Sequence, residues 1–140
     1  MTARTRRKRV PAATAAHAAL GVVRDGNAQL RLRPRLYRGG DIALGPGKVE
    51  LLAAVARTGS IRQAAVELDM SYMRAWTLVR TMNACFATPL VIAARGGRGG
   101  GVARLTPSGE RVLELYHTLA AAGVRAAAPS WNKLRKLLRP

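Results

Sequence analysis

The stretch Ser60-Ile-Arg-Gln-Ala-Ala-Val-Glu-Leu-Asp-Met-Ser-Tyr-Met-Arg-Ala-Trp76 contains two helix starts separated by one turn. Ser60 with Gln63 has the spacing of a capping box, in which hydroxyl and carboxamide each satisfy one free amide of the first turn. Ala64, Ala65 and Leu68 then give a short helix a small-sided face that a second helix can approach closely. Asp69-Met70 reads as the turn and Ser71 as the next N-cap. The second helix runs to about Phe86, with Ala75, Val79 and Met82 in register for burial. This is the spacing of a helix-turn-helix, although other helical hairpins share it.

The flanks extend the pattern. Upstream, a helix over 46–57 starts at Pro46, buries Leu51, Leu52, Val55 and Ala56, and ends at Gly59. Residues 29–37 alternate Leu30, Leu32 and Leu36 with Arg31, Arg33 and Arg35, as a half-buried strand does. Pro34 lacks a ladder donor and makes it an edge strand. Downstream, Leu90–Ala94 and Val102–Leu105 read as two strands around the basic, glycine-rich tip Arg95–Gly101. Thr106-Pro107 opens a long helix over 107–122, with Val112, Leu113, Tyr116 and Leu119 on one face. A strand–loop–strand after a helix-turn-helix is a wing. The expected fold is mainly α with a small β-sheet, a winged helix-turn-helix.

Charge divides the 140 residues further. Lys and Arg number 24 against 7 Asp and Glu, a net charge of +17, which points to a polyanionic partner. Residues 1–28 carry +5, 29–122 carry +7 and 123–140 carry +5. The apolar residues gather in 29–122, the expected folded domain. Residues 1–28 are expected as a flexible basic arm that adds phosphate affinity, a secretory signal being the rival reading. Residues 123–140 are expected as a basic amphipathic tail, weakly ordered, with Trp131, Leu134 and Leu138 on one helical face. No apolar run is long enough to span a bilayer, so no transmembrane helix is expected. With a polyanionic partner the expected place is the cytoplasm, associated with the nucleoid, and no membrane partner is expected.

Catalysis and cofactors find little support. The single Cys85 and two histidines, His17 and His117, are a poor basis for a metal site. Glu50, Glu67 and Asp69 form no acid–base motif. The Gly96–Gly101 run lacks the Lys-Ser/Thr and following helix of a phosphate loop. No enzyme activity and no cofactor are expected.

Met70-Ser-Tyr-Met-Arg-Ala-Trp76, Met82-Asn83, the Gly96–Gly101 loop and Leu105-Thr-Pro-Ser-Gly109, in that order, resemble the N-terminal domain of molybdate-responsive ModE regulators, and more widely LysR-type winged helix-turn-helix domains. The resemblance covers roughly residues 28–122. It implies a homodimeric transcription factor on a palindromic operator. Ala93-Ala94 depart from the residues usual before the wing glycines. About 18 residues follow the last expected helix, too few for the family's molybdate-binding domain, so molybdate sensing does not carry over and no effector site is expected.

For such a domain the second helix enters the major groove with its N-terminal turn leading. Ser71, Tyr72, Met73, Arg74 and Thr77 lie there. Arg74 is the candidate base reader, with a phosphate contact as its alternative. Tyr72 has a phosphate or sugar contact or core packing open to it, and Met73 a thymine methyl. Trp76 is expected to support the core, and Arg80 to meet the backbone. Ser60, Arg62 and Gln63 sit at a helix start suited to phosphate, with capping alone as the alternative for Gln63. Arg95 and Arg98 flank the wing tip. The dimer is expected to form through the 46–57 helix and Leu113, Tyr116, Leu119 and Ala120 of the long helix. A non-specific architectural DNA-binding protein is the competing reading.

Overall fold

The computed structural model describes residues 21–94 and 101–140. These fall into two compact units, Arg33–Tyr116 and a second made of residues 21–32 with His117–Pro140. The described elements are mainly helical with small antiparallel hairpins, a winged helix-turn-helix.

In the Arg33–Tyr116 unit, β3 (Leu36–Arg38) pairs with β4 (Asp41–Leu44), followed by α1 (Pro46–Thr58), α2 (Ile61–Glu67) and α3 (Tyr72–Cys85). The wing strands β5 (Val91–Ala94) and β6 (Val102–Leu105) pair antiparallel, Val91 opposite Leu105 and Ala94 opposite Val102. Helix α4 (Pro107–Leu134) begins at the end of β6. Leu44, Leu51, Leu52, Val55, Met82 and Leu90 are almost wholly buried. Each such side chain contributes about 1.5–3 kcal/mol of burial free energy. Ala64, Ala65 and Ala75, also buried, are small enough to let α2 and α3 pack closely.

The helix starts follow the caps read from the sequence. Ser60 Oγ accepts the Gln63 amide and Ser71 Oγ the Arg74 amide. The Ser60 box has a different second half: the Ser60 amide donates to Thr58 Oγ1 at 3.3 Å. Gly59 ends α1 in the left-handed region (φ 69°) and donates to the Val55 carbonyl, a cap that glycine adopts without Cβ strain. Asp69 occupies the α2–α3 turn at φ 52°.

Three expectations on element boundaries are corrected. The strand over 29–37 is two strands, β2 (Ala28–Arg31) and β3, because Pro34 supplies no amide to a ladder. β2 pairs with β1 (Val22–Asp25) across Gly26-Asn27, so a hairpin begins inside the segment assigned to the arm; residues 1–20 lie outside the described residues. The long helix runs to Leu134 and not to 122, with a 3-10 turn at Arg135–Leu137. The tail is a continuation of α4, so it has no nucleation cost of its own. Pro129 sits inside that helix, where it forfeits one helical amide donor. Within the second unit, Trp131 is buried and Arg135 pairs with Asp25, which ties the tail to the β1–β2 hairpin.

Candidate nucleic-acid interface

Two hydrogen-bonded joints fix the wing to the helix-turn-helix. Asn83, near the end of α3, accepts from the Leu90 and Val91 amides at 2.8 and 3.2 Å and donates to the Val91 carbonyl at 3.0 Å. The Ala103 amide of β6 donates to the Gly59 carbonyl at 2.8 Å. Each wing strand is thus held by a different part of the helical unit. A third contact seats α4: the Thr106 amide donates to the Leu90 carbonyl, while Thr106 Oγ1 donates to the Pro89 carbonyl and accepts from the Gly109 amide. A Cβ on Gly109 would lie 2.2 Å from the Leu90 carbonyl oxygen, so this close crossing requires glycine.

Successive residues of α3 turn by about 100°. Ala75, Val79 and Met82 point into the core, which leaves Met73, Thr77 and Arg80 on the opposite, solvent-facing arc. Arg74 is exposed on one flank of that arc. Tyr72 and Trp76 occupy the other, where a groove of about 610 Å³ runs between α3 and the wing. Its walls include Ser60, Arg62, Tyr72, Met73, Trp76 and Arg80 from the helices, and Ala93, Ala94 and Val102 from the wing.

The structure therefore brings Ser60, Arg62, Tyr72, Met73 and Arg80 to one groove, with Thr77 and Arg74 on the adjoining α3 surface. Gln63 is exposed, and its carboxamide is not the second half of the Ser60 box, since Thr58 takes that place. Ser60 and Ser71 each use their hydroxyl as a cap. Tyr72 is 39% exposed, which sets aside core packing as its role. Its ring carries the Arg62 guanidinium on one face, 4.7 Å from the centroid, and meets Trp76 edge-on. Trp76 packs partly on the core, as expected, and also lines the groove. Thr77 Oγ1 donates to the Met73 carbonyl and keeps only its acceptor side for a ligand. Arg95 and Arg98 lie outside the described residues.

Arg104 was missed as a candidate. It is exposed on the outer face of β6, opposite Ile92, and the alternation Val102-Ala-Arg-Leu105 carried that signal. Cys85 is only half-buried. Among the described residues no cluster of His, Cys, Asp or Glu could hold a metal ion, and no helix is long and apolar enough to cross a membrane.

Residues 47–110 match the bacterial regulatory helix-turn-helix protein, lysR family. The chain is 47% identical over 90 residues to the molybdenum-pterin-binding protein MopB of Rhodobacter capsulatus, covering 64% of this chain and 33% of that protein. It is 39% identical over 97 residues to the transcriptional regulator ModE of Yersinia pestis (69% and 35%). With the DNA-binding transcriptional dual regulator ModE of Escherichia coli the identity is 43% over 75 residues (54% and 29%). The chain spans about a third of the length of these relatives. The matched part of the chain, with its two capped helices and jointed wing, is therefore a LysR-type helix-turn-helix domain homologous to about a third of the ModE, MopA and MopB proteins.

Proposed function

We propose that the protein is a sequence-specific transcriptional regulator that binds duplex DNA in the cytoplasm as a homodimer on a palindromic operator. The observation that carries this reading is the solvent-facing arc of α3, with Met73, Thr77 and Arg80 and the flanking Arg74, set beside a wing jointed to the same helix. In this reading Arg74 reads a base edge, Met73 meets a thymine methyl, and Arg80 approaches the backbone. Arg104, Arg95 and Arg98 add backbone affinity from the wing.

The dimer face in this proposal is α4 alone. Tyr116 and Ala120, expected at the interface, are buried within the chain, and α1 directs its large apolar residues into the core. Leu115 and Leu119 stay about half exposed, and Ala122 and Ala126 continue their stripe at helical spacing. Sedimentation of the free protein tests this: a dimer is expected, which Leu115→Lys with Leu119→Lys converts to a monomer. A wild-type monomer that binds a palindrome one-to-one contradicts it.

The proposal covers DNA recognition and not molybdate sensing. Oxyanions at Arg62 or Arg80 would compete with phosphate as any salt does. Molybdate and sulfate at equal ionic strength are therefore expected to affect operator affinity alike. The net charge of +17 favours a second reading, a non-specific architectural protein. The ratio of specific to non-specific affinity at physiological salt separates the two.

A further inference from the structure

The stack of Arg62, Tyr72 and Trp76 joins two helices across the wall of the groove. Arg62 stands second in α2 and Tyr72 first in α3. The guanidinium carbon lies over the Tyr72 ring, 4.7 Å from its centroid. The Tyr72 and Trp76 rings are 6.2 Å apart with their planes at 87°. Trp76 in turn rests on the hydrophobic core. An exposed arginine thus ends a chain of contacts that begins in the protein interior.

An unrestrained arginine loses rotamer freedom when it binds. A guanidinium held on an aromatic face has given up part of that freedom beforehand. Attraction to the ring's negative face holds it, and its N–H edges remain available for two parallel hydrogen bonds. That is the requirement for gripping O6 and N7 of guanine. We propose that Tyr72 is a positioning residue for Arg62, and that Arg62 is a base-reading arginine supplied by α2 in addition to the side chains of α3. This rests on the DNA-reading function proposed above. It assigns Tyr72 a role through its ring and none through its hydroxyl.

The test is selection of bound sites from a random duplex pool, followed by affinities on the selected site and its single-base-pair variants. The proteins compared are wild type, Arg62→Ala, Tyr72→Phe, Tyr72→Leu and the Arg62→Ala/Tyr72→Leu double variant. Arg62→Ala is expected to reduce discrimination at one or two base pairs roughly 5- to 150-fold. Tyr72→Leu is expected to reduce it at the same base pairs by about two- to fivefold. The double variant should be no worse than Arg62→Ala alone, and Tyr72→Phe should keep the wild-type preference. An Arg62→Ala protein that keeps the full consensus and weakens all sequences equally overturns the proposal, because Arg62 is then a phosphate clamp. Additive losses, or a Tyr72→Phe protein as impaired as Tyr72→Leu, overturn the role of the ring. If Tyr72→Leu melts early, Arg62→Ala still decides the reader assignment, since its side chain is exposed. A wild-type protein that selects no site overturns the DNA-reading function itself, whereas a clear wild-type consensus unaffected by Arg62→Ala overturns this inference alone.

Discussion

Asn83→Ala removes the joint between α3 and the wing. One carboxamide makes three hydrogen bonds there, at 2.8, 3.2 and 3.0 Å, all to the backbone of Leu90 and Val91. Both of those residues are buried, at 0% and 3% exposure. A net contribution of about 1 kcal/mol per bond gives a loss near 3 kcal/mol. If water reaches the freed amides the loss falls to about 2 kcal/mol, and if it does not an orphaned amide raises it to about 4 kcal/mol. Urea denaturation measures the shift directly, with Asn132→Ala as an exposed control expected within about 0.5 kcal/mol of wild type. At a temperature where the variant is still folded, DNA affinity should also fall, about tenfold or more, because the wing no longer holds its place beside α3. A destabilisation below about 0.5 kcal/mol would refute the argument that this side chain carries the wing.

Gly109→Ala sets two effects against each other: alanine favours a helix by about 1 kcal/mol, but its Cβ would meet the Leu90 carbonyl oxygen at 2.2 Å. Overpacking should win, with a net loss of about 1–3 kcal/mol in urea denaturation, while Gly47→Ala, where a Cβ meets nothing within 4 Å, should be neutral or stabilising. Burial raises the Tyr116 pKa above 10.0 against the lowering by Arg33 and Arg35, and its hydroxyl donates to the Pro34 carbonyl at 2.8 Å. Its contribution is therefore complete below the unfolded value, about 10, and is lost as pH rises through the folded one. Tyr116→Phe should cost about 1 kcal/mol at neutral pH and flatten the decline in stability above pH about 10, both measured by thermal melts. Removal of residues 1–20, a cut that spares β1, should weaken DNA binding and flatten its salt dependence without changing the preferred sequence. An unchanged log–log slope would show that the arm makes no phosphate contact.

The helical frame was legible because its signals are local. Ser60, Ser71 and Gly59 mark helix ends by chemistry local to a few residues. The buried stripes of α3 and of Leu51, Leu52 and Val55 in α1 follow from period, whereas Ala56, expected in that stripe, is exposed and Ala54 is buried in its place. The β1–β2 hairpin was missed although Gly26-Asn27 is a two-residue hairpin signal. The charge run around it drew attention to the arm, and Val22 and Val23 offer a short apolar signal. The end of α4 was misplaced because the Ala-rich stretch after 119 has weak amphipathicity and Pro129 reads as a stop. Residue roles that depend on partners distant in sequence were not readable. Asn83 holding Leu90 and Val91 and Arg62 lying over Tyr72 both depend on packing between elements, whereas Thr58, two residues from Ser60, replaces Gln63 by a local contact that the capping-box spacing concealed. Tyr116 and Ala120 share their helix face with residues that stay outside, so sequence period alone did not separate buried from exposed positions.

The measurement that bears most directly on the central claim is site selection from a random duplex DNA pool at physiological salt, run in parallel on wild type and Arg74→Ala. Wild type is expected to enrich a defined, two-fold symmetric sequence, and Arg74→Ala to lose the preference at particular base pairs while still binding DNA. A wild-type pool with no enriched sequence would contradict the account and leave only charge-driven, non-specific binding.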